Sequence, residues 1–174
     1  MRNETRKITL AAMFIALGII LAIVFHAINL GAVILPMHIT VMLAGIILGW
    51  KYGLAVGVIT PFLNSFLFHK LPLFPNAVGM AFELATYGVV IAIVYKNIEL
   101  LKNNLFNIYL ALILAMIAGR IIYGIYYGTV FGIIGEAFGF SIFITSVIIT
   151  PLPGIVLQIL LIPALVNFLE TKDF

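Results

Sequence analysis

The stretch "NAVGMAFELATYG", residues 76–88, places a single carboxylate, Glu83, in the middle of a run of apolar and small residues. Such a run is typical of a transmembrane helix, which crosses the roughly 30 Å hydrocarbon core with about 20 residues. A charge at that depth costs at least about 2.5 to 3.5 kcal/mol, so an ionisable residue there is a candidate for function. The stretch therefore predicts a membrane helix that carries a polar site.

The whole chain shares this apolar character. Of its 174 residues, 64% are hydrophobic and 9% are charged, and the mean hydropathy is +1.28. No hydrophilic block is long enough for a soluble catalytic or ATP-binding domain. The composition therefore predicts one integral membrane domain over residues 1–174. The absence of cysteine excludes disulfides and thiolate chemistry and is compatible with a prokaryotic inner or plasma membrane.

Six apolar segments predict an all-α membrane protein with six transmembrane helices. They are residues 8–28, 36–50, 53–68, 76–95, 106–131 and 141–168. The second and third are short, and they contain Pro36 and Pro61. We expect one of them to be kinked or preceded by a non-helical segment such as "NLGAVIL". Irregular backbone persists at membrane depth only where protein or a water-filled cavity covers it, so these spans favour a site.

The distribution of Lys and Arg favours six spans with both termini cytoplasmic. In that arrangement the external segments carry only Lys70, and Arg120 lies within a span. The remaining basic residues are all cytoplasmic, namely Arg2, Arg6, Lys7, Lys51, Lys96, Lys102 and Lys172. This bias follows the positive-inside rule. Merging the second and third spans into a re-entrant element would place Lys96 and Lys102 outside.

Glu83 and Arg120 are the two ionisable residues that the six-span pattern places deep in the membrane. At about 1.5 Å per residue, their depths below the external ends of their spans differ by only about 6 Å, which the long Arg side chain can bridge. Tyr87 shares a helix face with Glu83, and Tyr123 and Tyr127 share one with Arg120. We expect the two charges and the three aromatic rings to converge.

Further polar residues extend the predicted substrate-binding site. Asn64 and Ser146 lie at a comparable depth, and His38 and Asn29 lie nearer the external mouth. Gly119 and Gly124 would leave space next to Arg120. The cytoplasmic halves of the spans carry almost no polar residues, whereas a channel needs them along its whole path. The pattern predicts a binding cup that opens to the outside.

Each of these features also has a structural interpretation. Glu83 and Arg120 can neutralise each other and lock two helices together, tyrosines near membrane interfaces are normal anchors, and a lone histidine such as His38 is weak evidence for a ligand contact. Small residues at helix-packing spacing indicate close approach of helices. They are Ala12 and Ala16, Gly45 and Gly49, Gly53 and Gly57, and Gly124, Gly128 and Gly132.

The sequence lacks the motifs of common catalytic and metal sites. It contains no GxxxxGKS or GxxxxGKT phosphate loop, no HExxH and no Gly-x-Ser-x-Gly, and its one Asp, Asp173, lies in the C-terminal tail. A carboxylate-pair metal site therefore cannot be assembled in the bilayer. We expect a protein that is not an enzyme and that uses no cofactor and no metal.

Four stretches carry a family resemblance. They are "RKITLAAMFIALGIIL" (6–21), "LPMHITVMLAGIILGWKYGLAVGVITP" (35–61), "FELATYG" (82–88) and "MIAGRIIYG" (116–124). Together with the six-span pattern, which covers nearly the whole chain, they resemble the substrate-binding, or S, components of energy-coupling factor (ECF) vitamin transporters. The resemblance implies a protein that captures a vitamin or vitamin precursor from outside the cell.

The resemblance also implies partners. Transport would depend on a shared transmembrane coupling protein driven by two cytoplasmic ATPases, which fits the missing phosphate loop. In similar proteins an Ala-x-x-x-Ala motif on the first helix contacts the coupling protein, and Ala12 and Ala16 match its spacing. The family closes its pocket with external loops, here "INLGAVILP" (28–36) and "HKLPLFPN" (69–76).

The residues favour a flat nitrogen heterocycle as substrate, because Arg120 can bind a carboxylate or phosphate, Glu83 can accept from an amine or ring N–H, and tyrosines can stack on a ring. A pyridoxine-like, hydroxymethylpyrimidine-like or queuosine-precursor-like compound fits. Two alternatives remain open at this point. One is a self-sufficient small oligomeric carrier or channel, and the other is a structural subunit without a ligand.

Overall fold

The structure is a computed structural model that describes residues 2–68, 72–97, 104–134, 144–145 and 149–170. Its described helices are α1 (Arg2–Ala27), α2 (Gly31–Ile34), α3 (Pro36–Leu48), α4 (Trp50–Phe68), α5 (Val78–Asn97), α6 (Asn104–Ile134) and α7 (Leu152–Glu170). A short irregular helical segment, Leu73–Ala77, leads into α5.

The predicted fold class is confirmed, since six helical segments of the described chain are long and apolar enough to cross a membrane. The second crossing is short, as expected, and reaches 18 residues only when α2 and α3 are taken together. Leu35 separates these two helices in the left-handed conformation, with φ 51° and ψ 55°. That conformation costs a non-glycine residue about 1 to 2 kcal/mol. The segment "NLGAVIL" thus consists of a turn followed by a single turn of α-helix, so it is only partly non-helical.

The described part of the predicted sixth span, residues 141–168, contains a turn before its long helix. The chain turns at Thr150 and Pro151, and α7 starts at Leu152. Pro151 directly precedes the first residue of α7. The beginning of a helix tolerates proline, whereas a proline in the interior removes a helical hydrogen bond. The expected start at residue 141 and the candidate Ser146 lie outside the described residues.

A single residue, Gly49, connects α3 to α4. Its φ of 91° and ψ of 173° lie in a region that only glycine adopts readily. Its backbone N–H donates to the Gly45 carbonyl over 3.0 Å, which closes the last turn of α3. Helices α3 and α4 can therefore follow each other with only this one residue between them.

Glycines bring α4 into backbone contact with α5. A Cβ atom added to Gly53 would lie 2.5 Å from the Gly88 carbonyl oxygen, and one added to Gly57 would lie 2.6 Å from the Leu84 carbonyl oxygen. A Cβ on Gly45 of α3 would also lie 2.6 Å from the Gly88 oxygen. The small-residue spacing here does indicate close packing, whereas Gly128 and Gly132 of α6 face open space within the described structure.

The remaining helices surround this three-helix centre. Helix α1 packs on α3 and α4, α6 packs on α5, and α7 packs on α2, α3 and α6. The apolar core runs through the middle of the bundle and includes Met42, Leu84, Ile91 and Leu112. Outward-facing apolar side chains such as Met13 on α1 are exposed, as expected for surfaces that contact lipid tails.

One end of the bundle gathers the start of α1, the turn at Gly49 and the end of α5. Side chains from all three line one cavity there. Apart from Arg120, every Lys and Arg that the structure describes belongs to these segments. The basic residues that the sequence assigns to the cytoplasmic side, as far as the structure describes them, thus lie at one end.

Candidate functional site

The orientation of α5 places Glu83 in the interior of the bundle. Leu84 and Gly88 on one face meet the glycines of α4, so Glu83 and Tyr87 on the adjoining face are directed toward α3 and α6. Both are buried, with exposed fractions of 2% for Glu83 and 1% for Tyr87. The glycine contact between α4 and α5 therefore fixes the direction of the acid.

Three side chains approach one oxygen of Glu83. Arg120 donates from Nη1 to Oε1 over 2.8 Å, and the Tyr87 hydroxyl donates to the same atom over 3.2 Å. His38 Nε2 lies 3.6 Å from it, which is long for a hydrogen bond. The charge-assisted hydrogen bond between Arg120 and Glu83 is, at 2.8 Å, among the stronger polar contacts in a protein, and it offsets the burial of both charges.

The remaining polar atoms of the Glu83–Arg120 pair have no hydrogen-bond partner within the described chain. The interactions of the pair use only Oε1 of Glu83 and Nη1 of Arg120. Oε2 and the guanidinium nitrogens Nε and Nη2 are therefore available. Buried polar groups are normally satisfied by protein or ordered water, so these atoms are candidates for contact with water or a polar ligand.

His38 adds two more such atoms. It is 2% exposed, and neither ring nitrogen has a hydrogen-bond partner among the described residues. Its ring packs edge-on against Tyr87, with ring centroids 5.1 Å apart. Helix α3 thus contributes an unsatisfied donor–acceptor side chain beside the acid.

An aromatic stack on α6 adjoins the charges. The rings of Tyr123 and Tyr127 stack at a centroid distance of 4.3 Å, on the same helix as Arg120. The Tyr127 hydroxyl donates to Asn76 Oδ1 over 3.1 Å. The stack therefore connects the charged pair to the segment that precedes α5.

The other predicted residues lie elsewhere or act differently. Asn64 is buried on α4, without a described contact to the charged pair. Asn29 is exposed in the turn after α1. The expectation that Gly119 leaves space is wrong, because a Cβ there would lie 2.7 Å from the Tyr87 ring, which fills the position. Ala12 and Ala16 are both exposed on α1.

Two residues of the Leu73–Ala77 segment were not predicted as part of this region. Asn76 accepts from Tyr127, and the Pro75 carbonyl accepts from the Tyr126 hydroxyl over 3.0 Å. Residues 72–76 belong to the external loop that the resemblance assigns to closure; residues 69–71 of that loop lie outside the described chain. The sequence signals were the resemblance to a closing loop and the polar residue and proline that immediately precede the Glu83 helix.

The arrangement suits binding of a neutral or zwitterionic polar molecule. The opposite charges of Glu83 and Arg120 cancel, so a ligand needs no net charge. The cluster offers both donors and acceptors of hydrogen bonds. Within the described part of the chain, no group of three metal-ligating side chains forms around Glu83 and His38 or elsewhere.

The fold and this cluster define a multi-pass membrane protein with a buried polar site between α3, α5 and α6. The family model for the substrate-specific component of ECF transporters matches residues 6–166. The chain therefore belongs to the ECF transporter substrate-specific component family, as the sequence motifs indicated. The comparisons with curated proteins and with solved structures returned no significant match.

Membership gives the protein its general role. It is the substrate-specific component of a transporter, takes a small-molecule substrate and works with an energy-coupling module. The family is one of transport components and not of enzymes.

Proposed function

We propose that this protein binds a vitamin or vitamin precursor from outside the cell and delivers it to an ATP-driven importer in a prokaryotic inner or plasma membrane. Its partners in this proposal are a transmembrane coupling protein and two cytoplasmic ATPases. The observation that carries the proposal is a group of polar atoms around Glu83 that have no hydrogen-bond partner among the described residues: one oxygen of the acid, two nitrogens of Arg120 and both ring nitrogens of His38.

The charged pair favours a ligand with a donor and an acceptor side by side. A ring N–H or amine would donate to Glu83 Oε2, and an acceptor or anionic group would face Nε and Nη2 of Arg120. Such a ligand leaves the existing 2.8 Å bond between the two side chains intact. It also avoids the cost of burying an unpaired charge.

The tyrosines favour a flat ring. Tyr87 is packed between His38 and Gly119, whereas Tyr123 and Tyr127 form a stack that a heterocycle can extend. A pyridoxine-like, hydroxymethylpyrimidine-like or queuosine-precursor-like compound has this shape and this pattern of donors and acceptors. In the proposed site Asn64 and Asn29 contribute polar contacts nearer α4 and the external mouth.

Native mass spectrometry of the protein purified from rich medium tests the proposal. We expect a co-purified metabolite that is lost in Glu83→Gln and in Arg120→Met. Glu4→Gln and Arg6→Met are matched controls, because they make the same changes at the far end of the bundle, and they should retain the metabolite. A metabolite that remains bound in both site variants would refute this site.

A further inference from the structure

The cavity at the basic end of the bundle has no part in the proposed substrate site. It has a volume of about 500 Å³ and lies between the start of α1, the Gly49 turn and the end of α5. Its charged side chains are Glu4, Lys7, Lys51 and Lys96. Among the described lining residues, three cations against one anion give a net charge of +2.

The one acid in the cavity is already engaged. Glu4 accepts a hydrogen bond from the Tyr52 hydroxyl over 2.6 Å and lies 4.0 Å from Lys7 Nζ. Within the described chain, neither Lys51 nor Lys96 has a carboxylate within ion-pair distance. The described residues therefore give these two ammonium groups no ion-pair partner of their own.

The position of the cavity relates it to the membrane surface. Trp50 beside it is 49% exposed, and Lys51 Nζ lies 5.8 Å from the centroid of the Trp50 ring. Tryptophan is enriched where hydrocarbon meets the headgroup layer. An exposed tryptophan and three lysines at this end of the bundle fit the headgroup layer.

We propose that this cavity binds the headgroup of an anionic phospholipid, with the phosphate between Lys51 and Lys96 and the acyl chains along the apolar sides of α1 and α5. Basic pockets between membrane helices are known to hold anionic headgroups. The charge complementarity selects an anionic over a zwitterionic lipid, because phosphatidylcholine carries its own cation and brings no net charge to the lysines.

The protein contains a single tryptophan, so Trp50 fluorescence reports directly on lipid next to the cavity. The full chain is reconstituted into vesicles of phosphatidylcholine and phosphatidylglycerol, with brominated acyl chains on one lipid or the other. Bromine quenches tryptophan on contact. We expect brominated phosphatidylglycerol to quench more strongly than its share of the bilayer predicts.

Variants separate binding in the cavity from general surface charge. Lys51→Gln and Lys96→Gln should each lower the preference for phosphatidylglycerol about fivefold, in line with the usual contribution of one lysine near an anionic leaflet. Arg6→Gln removes the same charge at the same end but does not line the cavity, and it should leave the preference almost unchanged.

Three results would overturn the proposal. Equal quenching by the two brominated lipids would assign the cavity to another occupant, such as a segment of the energy-coupling module. If Arg6→Gln lowered the preference for phosphatidylglycerol as much as the lysine substitutions do, the effect would come from general surface charge and not from the cavity. A preference that survives both lysine substitutions would place the lipid elsewhere.

Discussion

Glu83 is accommodated in the interior because Arg120 supplies an opposite charge and a hydrogen bond to it. Arg120 donates over 2.8 Å, and its side chain is 17% exposed, against 3% for Glu83. The acid is therefore the more deeply buried of the two, and the arginine reaches it from the side of α6. Removing either partner leaves the other charge in a medium that solvates it poorly.

At the scale of the residue, we expect the ligand-free single variants Glu83→Gln and Arg120→Met to be less stable by about 3 kcal/mol, which is typical when one partner of a buried pair is lost. The double variant should recover much of this loss, because it buries no charge. Thermal unfolding in detergent measures the difference.

Thr129→Val serves as a control for polar substitution on α6, because the Thr129 hydroxyl is exposed and donates only to its own helix, at the Ile125 carbonyl. It should shift unfolding little. Additive losses in the double variant would show that the pair does not stabilise the fold as a unit.

At the scale of the element, glycines determine how closely α3, α4 and α5 approach. A lipid solvent offers no hydrophobic drive for helix association, so packing and backbone proximity must supply it. Gly53 and Gly57 of α4 contact Gly88 and Leu84 of α5 across matching four-residue steps. This contact also aims Glu83, so packing and the site depend on the same residues.

Gly88→Ala should destabilise the bundle by about 1 to 3 kcal/mol or more, since the new methyl group meets the backbone of Gly53 and not a flexible side chain. The same substitution at Gly128 meets nothing within 4 Å. It should be neutral or stabilising by up to about 1 kcal/mol, through helix propensity.

The thermal unfolding midpoints of the two variants measure this contrast. Equal shifts for Gly88→Ala and Gly128→Ala would mean that the close crossing of α4 and α5 does not limit stability.

At the scale of the whole molecule, the chain offers a site but no described means of supplying energy. Its sequence has no phosphate loop, and the family is that of a component within a larger transporter. Ala12 and Ala16 are exposed on α1, whereas Ala11 and Ala22 on the same helix are buried. We propose that the two exposed alanines are where a partner helix approaches.

We expect the double substitution Ala12→Leu and Ala16→Leu to leave substrate binding intact and to abolish ATP-driven uptake, because larger side chains hold the coupling protein away. Uptake into vesicles that contain the coupling protein and both ATPases measures this. Ala27→Leu, an exposed alanine at the other end of α1, is the matched control and should transport normally.

The purified chain alone should give no flux in liposomes. Flux without the ATPases would instead support a self-sufficient carrier, and a chain that neither binds nor transports any solute would support a structural subunit.

The sequence by itself determined the six helices, the class of protein and the two interior charges. These follow from local quantities, namely the length of each apolar run and the cost of a charge within it. It also indicated that Glu83 and Arg120 lie at similar depths, since the rise per residue is constant along a helix. Periodicity alone placed Tyr87 on the face of Glu83.

Only the tertiary structure decided which atoms of those residues remain available. Three observations depend on how helices rotate against one another. Gly119 receives the Tyr87 ring, Asn76 accepts from Tyr127, and His38 lies beside the acid without a hydrogen bond to the described residues. Rotation is set by contacts between residues distant in sequence, chiefly the glycine crossing of α4 and α5. No pattern within a single helix contains that information.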